Sequence, residues 1–483
     1  MLDLAQAQLA DQMQRHPEQI ATFNHIATLI EEVRRCWTPE DYRILQQRLG
    51  EHIERVDTLA EEASTRRKRG EEQQRRFPYQ KNLRDPNAAT KLTQDYQRAA
   101  FEQKLYARLG RQYRMVGDAM AWQLYEYEAL PLYALGMNQG PGPVSRSKEL
   151  GADAEQAAVE QFWQEHSAFA LRHDYTNCLR IWDLSVFFPD GTRAIQEVKA
   201  KKSVSSSQKR KGRMVVELTT HHESTLPQGD LLVHQSYLAP VPAHNDMPTT
   251  LDLLEQALIQ ANQESIGFAA NTYLAVAILD ATNVARRPLE QLIQEWVQKT
   301  EGLIPSDIWP LHSVDVLRSN SEQRVQYPCF GAPYTVYPLP PRVVARIVTG
   351  YLYIHYQLNT AAITQAFRDR GFDAECLLGL WRQQGGKPPK KPPAHYFRLR
   401  RDAMTINISR LTLEQITFEG LRLEDFVDSI VALTEKQKSL TGSSKSQHFL
   451  QVPTYTDMEQ IWRSSRQIIT LSATETSGAE EHS

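Results

Sequence analysis

The chain has 483 residues, of which 41% are apolar and 23% are charged, and its formal net charge is −3. This length predicts about three domains, and the near-neutral balance excludes binding to nucleic acid through overall charge. No run reaches the ~18 apolar residues of a membrane helix, and the N-terminus lacks the pattern of a secretory signal. We therefore expect a cytoplasmic protein with no membrane partner.

The first 137 residues are predicted to form a helical domain. Apolar side chains from Ile20 to Trp37 recur every three or four residues, which is typical of an amphipathic helix. Thr38 is the expected N-cap and Pro39 the first residue of a second helix. The mixed charges of residues 61–77 predict a solvated helix or an exposed connector. A protein partner or a second copy of the chain is expected to bind through this region.

Gly and Pro in NQGPGPVSRS (138–147) mark a domain boundary. Helices and strands alternate over 148–282, including a helix over 252–263 and a buried strand over 272–282. A mixed α/β accessory region is predicted at 283–384, with a helical stretch at 342–358 and a helical hairpin or helix-turn-helix from Asn359. The later predicted segments are a basic Pro-rich linker at 385–401, a helical region at 402–472 and a disordered tail at 473–483.

Four cysteines (Cys36, Cys178, Cys329 and Cys376) lie far apart and form no C-x-x-C pair. This spacing gives no zinc motif and no dense disulfide framework, so it predicts buried reduced thiols.

A β-hairpin is predicted from Ile181 to Lys202, because Phe188-Pro-Asp-Gly-Thr192 is a strong turn sequence. A three-residue loop makes paired residue numbers add to 380, which sets Asp183 opposite Glu197 and Ile181 opposite Lys199. Alternation along the strands then directs Asp183, Glu197 and Lys199 to one side of the hairpin.

Two opposed carboxylates destabilise a sheet, since their Cβ atoms are about 4.5–5.5 Å apart. A divalent cation removes the difficulty, and hard oxygen ligands suit Mg²⁺. Lys199 would stabilise charge on a phosphate or help to activate water. The alternative is a structural hairpin with a solvated charged face. Asp190 is predicted to be a turn residue, at the hairpin tip and away from Glu197.

The helix at 150–166 carries Glu155 within its apolar face, beside Val159 and Phe162. An acid in that position needs a partner, which a lysine or a metal-bound water would supply. Alternatively, Glu155 is partly exposed and stabilises the helix dipole near the N-terminus.

These residues resemble the core of the PD-(D/E)xK nuclease superfamily, in particular its small endonuclease-like and Holliday-junction-resolvase-like branch. The matching residues are Gly151, Glu155, Asp183, Glu197 and Lys199. The resemblance covers residues 148–282 and implies a restriction-endonuclease-like mixed sheet flanked by helices. It also implies that Asp183 and Glu197 bind Mg²⁺ or Mn²⁺, that Lys199 assists the attacking water, and that DNA is hydrolysed.

The chain departs from this family after the E-x-K strand, where further strands precede the next helix. We interpret residues 203–240 as a β insertion. Basic residues without an intervening acid follow Lys199 and predict contact with the phosphate backbone; they are Lys201, Lys202, Lys209, Arg210, Lys211 and Arg213. A second basic stretch, Lys387 to Arg401, contains Tyr396 and Phe397, which are candidates for stacking on bases or parts of a simple linker.

The sequence therefore predicts a multidomain α/β protein that is a Mg²⁺-dependent endonuclease acting on DNA. By analogy of fold, bacterial restriction or antiphage defence fits such a chain. The alternatives are a nuclease acting on RNA and a non-catalytic nucleic-acid-binding or scaffold protein with a nuclease-like fold.

Overall fold

The computed structural model describes residues 15–76, 86–126, 150–180, 182–198, 231–233, 236–242, 251–280, 309–314, 334–337, 339–377, 395–401, 404–409, 422–440 and 448–454, with a few single residues between them. The described helices are α1 Pro17–Val33, α2 Pro39–Arg76, α3 Pro86–Leu124, α4 Leu150–His166, α5 Leu251–Glu264, α6 Pro341–Thr349, α7 Thr360–Asp369 and α8 Leu423–Leu440.

The described strands are β1 Phe169–Arg172, β2 Leu184–Phe187, β3 Arg193–Gln196, β4 Leu231–Val233, β5 Ser236–Pro242, β6 Ile266–Ala270, β7 Leu274–Asp280, β8 Trp309–Val314, β9 Leu352–Leu358, β10 Asp373–Cys376, β11 His395–Arg401, β12 Met404–Ser409 and β13 His448–Thr454. The protein is thus mixed α/β, as predicted. Among the cysteines, Cys36, Cys178 and Cys376 are free thiols, and Cys329 lies outside the described residues.

Helix α2 begins as the sequence predicts. The Asp41 N–H donates to Thr38 Oγ1 at 3.2 Å, while the Asp41 carboxylate accepts the Thr38 N–H at 2.9 Å. This reciprocal pair satisfies main-chain donors that the first turn of a helix leaves without partners. The charged residues 61–76 continue α2, which confirms the solvated-helix alternative.

Helices α2 and α3 run antiparallel, since Gly70 faces Tyr96 and Asp57 pairs with Arg114. The Asp57–Arg114 ion pair is buried, with 2.6 Å between Arg114 Nη2 and Asp57 Oδ2. Arg114 Nε also donates to the main-chain oxygen of Asp174 at 2.7 Å. The two long helices are thereby joined to the segment that follows β1.

Strands β1, β2 and β3 form an antiparallel sheet in that order. On one face, Leu184 and Val186 pack with Val159 of α4. On the other face, Phe169 contacts Tyr42 of α2, with 5.7 Å between ring centroids. The sheet is therefore enclosed between α4 and the N-terminal helices.

Gln46 satisfies the free edge of β1. Its Nε2 donates to the Ala170 carbonyl oxygen at 2.9 Å, and its Oε1 accepts the Arg172 N–H at 3.0 Å. A neighbouring strand would otherwise bind these main-chain groups. One buried amide therefore replaces a strand and fixes the sheet against α2.

A second sheet has the order β6-β7-β9-β8, and all of its pairs are antiparallel. The structure confirms the predicted helix at 252–263 as α5 and the predicted buried strand at 272–282 as β7. Both edges of β7 are bound by β6 and β9, so β7 cannot join β1–β3. Two sheets replace the single central mixed sheet expected over 148–282, and nothing in the described residues shows a restriction-endonuclease-like core.

The predicted helical stretch at 342–358 is only half helical. Helix α6 ends at Gly350, which adopts φ 82° and donates its N–H to the carbonyl oxygens of Arg346 and Ile347. A glycine in this left-handed conformation is a common helix C-cap. The following residues form β9, whose alternate side chains are buried in the core (Leu352, Ile354, Tyr356 and Leu358).

Neither the helical hairpin nor the helix-turn-helix predicted from Asn359 is present. Asn359 caps α7 by accepting the N–H groups of Ala361 and Ala362, and Gly371 ends the helix region with φ 82°. A strand, β10, follows in place of a second helix, because it pairs with β11.

The C-terminal predictions need further correction. The end of the predicted linker at 385–401 is strand β11, which lies between β10 and β12. The region 402–472 is mixed, with β12 and β13 beside α8. Strand β13 pairs in parallel with β5, and β4 completes that sheet, so part of the predicted insertion has its partner about 200 residues away.

One hydrophobic core links the first helices with residues 334–358. Arg34 Nη2 donates to the Tyr337 carbonyl oxygen and Arg108 Nη2 to that of Thr349, both at 2.6 Å. Ile30 and Val348 belong to the same cluster of buried residues. The boundary proposed at 138–147 lies outside the described residues, and the division into domains stays a prediction.

Gly117 provides a test of the contact between α3 and the first sheet. A Cβ atom there would lie 1.9 Å from the Tyr175 main-chain oxygen. We expect Gly117→Ala to destabilise the protein by about 1–3 kcal/mol, because backbone must move on both sides.

Gly70→Ala is the matched control on α2, because its added Cβ would meet Tyr96 Cβ at 3.4 Å, an ordinary contact. It should leave stability unchanged or raise it by up to about 1 kcal/mol. Urea unfolding followed by circular dichroism measures both, and equal midpoints would contradict the close approach at Gly117.

Candidate active site

The hairpin of β2 and β3 has the predicted register. Leu184 pairs with Gln196, and the Phe188 N–H donates to the Thr192 carbonyl oxygen at 2.9 Å. Gly191 adopts φ 84°, the left-handed conformation that this turn requires. Paired residue numbers therefore add to 380 along the hairpin.

The ladder departs from this register at Asp183. Leu184 pairs with Gln196, and the Asp183 N–H donates to the carbonyl oxygen of the same Gln196 at 3.2 Å, so Asp183 faces Gln196, one residue from its predicted partner Glu197. Asp183 Oδ2 accepts the Val198 N–H at 2.7 Å, so its carboxylate is directed towards the strand that carries Glu197. Both acids are half-buried. Their metal-binding role stays a prediction.

The backbone immediately before Asp183 is unusual. Trp182 adopts φ 67°, a left-handed conformation that costs a bulky residue about 1–3 kcal/mol. His173 binds two successive carbonyl groups after the Trp182 Cα: its Nδ1 lies 3.1 Å from the Trp182 carbonyl oxygen, and its N–H donates to the Asp183 carbonyl oxygen at 2.9 Å. Ile181 and Lys199, which were predicted to pair, lie outside the described residues.

A buried chain of hydrogen bonds extends from His173 to Tyr125, the residue that follows α3. His173 Nε2 lies 2.7 Å from Ser185 Oγ, which lies 2.8 Å from the Tyr125 hydroxyl. Because the Trp182 carbonyl can only accept, His173 Nδ1 carries the proton, and in the neutral ring Nε2 accepts from Ser185. Tyr125 then donates to Ser185 Oγ. Burial, opposed by the Ser185 hydrogen bond, raises the pKa of Tyr125 to about 12, so it keeps this proton at neutral pH.

Asp190 is a turn residue, as predicted. Its Oδ1 accepts the Thr192 N–H at 2.9 Å and the Thr192 hydroxyl at 2.6 Å. These two hydrogen bonds lower the pKa of the Asp190 carboxyl. The carboxylate is exposed and stabilises the tip of the hairpin, so it takes no part in the pair formed by Asp183 and Glu197.

Glu155 forms a buried ion pair with Arg172, with 3.4 Å between Glu155 Oε2 and Arg172 Nη2. Arg172 also binds Asp174 at 2.9 Å and lies over the Tyr175 ring, 4.3 Å from its centroid. Burial opposes the charge on Arg172, but Asp174, Tyr175 and Glu155 favour it, and the net effect raises its pKa. An arginine therefore supplies the partner expected from a lysine or a metal-bound water, and Glu155 is only 3% exposed, which contradicts the partly exposed alternative.

The sheet separates Glu155 from Glu197. By alternation, Glu197 lies on the same side as Ile195, which belongs to the core formed with the N-terminal helices, whereas Val198 packs with Val159 of α4. Glu155 lies on α4 itself, and its catalytic role stays a prediction.

Sequence reasoning missed Arg172 and His173, which bind the predicted acids or their backbone. The available signal was an arginine at the end of the apolar strand FALR, followed directly by His173 and Asp174. A buried cation next to an apolar run needs an acidic partner, which Glu155 in its apolar stripe could have identified.

Lys199 and the predicted phosphate-binding residues Lys201, Lys202, Lys209, Arg210, Lys211 and Arg213 lie outside the described residues. In the second basic stretch, stacking on bases is wrong for Tyr396 and Phe397, because both side chains are buried. Arg398 and Arg400 there pair with Glu375 and Asp373 on the neighbouring strand (3.4 and 3.3 Å).

Within the described part of the chain, no group of three or more His, Cys, Asp or Glu residues could hold a metal ion. Asp183 and Glu197 are two residues, so they are fewer than the three that define such a group. The same part contains no helix that is both long and apolar enough to cross a membrane.

No protein-family model, curated protein or solved structure matches this chain. The resemblance to PD-(D/E)xK nucleases stays an expectation from the sequence of the hairpin and of α4.

The Glu155–Arg172 pair allows a test of burial. We expect Arg172→Met to destabilise the protein by about 3–5 kcal/mol, because it leaves a buried carboxylate without its counter-charge. Adding Glu155→Leu should recover most of this loss, since an apolar pair of similar volume costs little. Thermal and urea unfolding measure the free energies.

Arg35→Met is the matched control, because Arg35 pairs with Glu31 at the surface, with side chains 75% and 51% exposed. Arg35→Met should change the free energy of unfolding by no more than about 1 kcal/mol. Equal losses for Arg35→Met and Arg172→Met would contradict the buried pair.

Proposed function

We propose that the protein is a metal-dependent phosphodiesterase that cuts DNA. The observation that carries this proposal is the hydrogen bond from the Val198 N–H to Asp183 Oδ2 at 2.7 Å, which directs this carboxylate towards the end of the strand that carries Glu197. Acids on two neighbouring segments supply the hard oxygen ligands that a divalent cation prefers.

The donor set fits Mg²⁺ or Mn²⁺. Each carboxylate has about four lone-pair sites, so the hydrogen bond from Val198 to Asp183 leaves capacity to coordinate a hard cation. When bound, such an ion would supply Lewis acidity for the attack of water on a phosphodiester. Asp183 and Glu197 would hold it, and Lys199 would stabilise charge on the phosphate.

A non-catalytic nucleic-acid-binding or scaffold protein is the second candidate. The position of Glu155 favours it, because this acid is neutralised by Arg172 on the other face of the sheet. A nuclease acting on RNA uses the same chemistry, and the cleavage assay distinguishes the two substrates. Restriction or antiphage defence remains the biological setting suggested by fold analogy.

The enzyme proposal predicts that Asp183→Asn and Glu197→Gln each abolish Mg²⁺-dependent cleavage, because each removes one anionic ligand. Lys199→Ala should lower the cleavage rate at least about tenfold. Gel assays on double-stranded DNA, single-stranded DNA and RNA with Mg²⁺ or Mn²⁺ measure the rates, and filter binding measures DNA affinity.

Asp190→Asn is the matched control, since Asp190 belongs to the same hairpin but binds only Thr192. It should cleave like the wild type, and the inactive variants should still bind DNA. If the wild type cuts no nucleic acid and the three variants keep full biological activity, the scaffold candidate is correct.

The basic residues after Lys199 predict steep salt dependence. Replacing Lys201, Lys202 and Lys209 together with Ala should reduce the slope of log K against log salt by up to about three, nearly one per lost phosphate contact. Replacing Arg398 and Arg400 should leave the slope unchanged, because acids already bind them. Equal slopes for the wild type and the lysine variant would contradict contact with the phosphate backbone.

A further inference from the structure

His173 binds the carbonyl oxygens of two successive residues, Trp182 and Asp183. Its Nδ1 donates to the Trp182 carbonyl oxygen at 3.1 Å, and its own N–H donates to the Asp183 carbonyl oxygen at 2.9 Å. The side chain is 3% exposed, so it makes these bonds within the core.

The peptide unit between Trp182 and Asp183 is fixed at two opposite atoms. Its oxygen accepts from His173, and its N–H donates to the Gln196 carbonyl oxygen on β3. The orientation of this plane determines where the Asp183 Cα–Cβ bond points, and the carboxylate reaches the Val198 N–H from there.

The left-handed backbone of Trp182 requires such restraint. A bulky residue leaves this conformation when nothing over-determines it. Any residue except proline at position 173 would supply the N–H bond to Asp183, whereas the bond to the Trp182 oxygen needs the His173 side chain. Ser185 holds the ring from the other side at 2.7 Å, which sets the ring's orientation.

We propose that His173 is a positioning residue of the acidic pair: it holds Trp182 in the left-handed conformation and thereby directs the Asp183 carboxylate towards Glu197. This inference rests on the proposed function, because the geometry that His173 maintains is that of the metal ligands. Partners that orient metal ligands typically change metal affinity by about 10–100-fold when they are removed.

Two variants distinguish the roles of the two ring nitrogens of His173. In His173→Asn the amide nitrogen takes the place of Nδ1 and keeps the bond to Trp182. In His173→Gln the amide extends to the place of Nε2, which keeps the bond to Ser185 and loses the bond to Trp182. Both variants replace a buried ring by an amide, so their losses of packing are similar.

Two measurements on the full-length chain report the result. Titration with Mn²⁺ alone, followed by electron paramagnetic resonance, gives the dissociation constant of the ion. Hydrogen exchange at the Val198 amide reports its bond to Asp183 without any metal.

We expect His173→Gln to weaken Mn²⁺ binding at least about tenfold and to speed Val198 exchange, while His173→Asn stays within about threefold of the wild type. Melting temperatures of the two variants should fall by similar amounts. If His173 had a purely structural role, both variants would change Mn²⁺ affinity and Val198 exchange equally.

The proposal is overturned if the two variants match each other in Mn²⁺ affinity and in Val198 exchange. A wild type that binds no Mn²⁺ overturns the metal site, and with it the proposed function. In that case a difference in Val198 exchange between the variants still establishes that His173 orients Asp183. The two failures are therefore distinguishable.

Discussion

The hydrogen-bond ladder between β2 and β3 is the constraint on which the candidate site depends. Side chains alternate along a strand, so a slip of one residue would move Glu197 to the opposite face of the hairpin. The turn at Pro189–Gly191 fixes the register from one end, and at the other end Asp183 and Leu184 both face Gln196. The Val198 N–H then holds the Asp183 carboxylate beside the strand end that carries Glu197.

The N-terminal helices maintain this small sheet. Short strands gain stability when they pack against helices, and α2 supplies this support here. Gln46 binds the edge of β1, and Asp118 accepts the N–H groups of Asn177 and Cys178 at 2.6 and 2.8 Å. Burial raises the pKa of Asp118, while these donors favour its charged form. In the same segment the Thr176 N–H and hydroxyl donate to the His173 carbonyl oxygen at 3.0 and 2.9 Å, which fixes the residue that binds the Trp182 carbonyl.

Local sequence signals predicted local structure well. The turn sequence determined the hairpin register, Thr38 and Pro39 determined the start of α2, and the apolar run at 272–282 identified β7. Each of these features depends on residues close together in the chain. The turn signal placed Asp183 one residue away from its observed partner, because the ladder becomes irregular beyond Leu184 and Asp183 faces Gln196.

These local signals could not predict contacts between segments that lie far apart in the sequence. Whether β7 joins the first sheet depends on β9, about 80 residues later, and periodicity carries no information about that choice. The same limit hid Arg172 as the partner of Glu155, and it led to a helix over 352–358, where pairing with β7 favours a strand. Burial of Tyr396 and Phe397 likewise depends on where the strand packs, which composition does not reveal.

Anomalous diffraction from crystals soaked in Mn²⁺ tests the central claim most directly. The account predicts a peak between the carboxylates of Asp183 and Glu197, with the hairpin register unchanged. Two carboxylates that diverge, with no peak within coordinating distance of either, would contradict it.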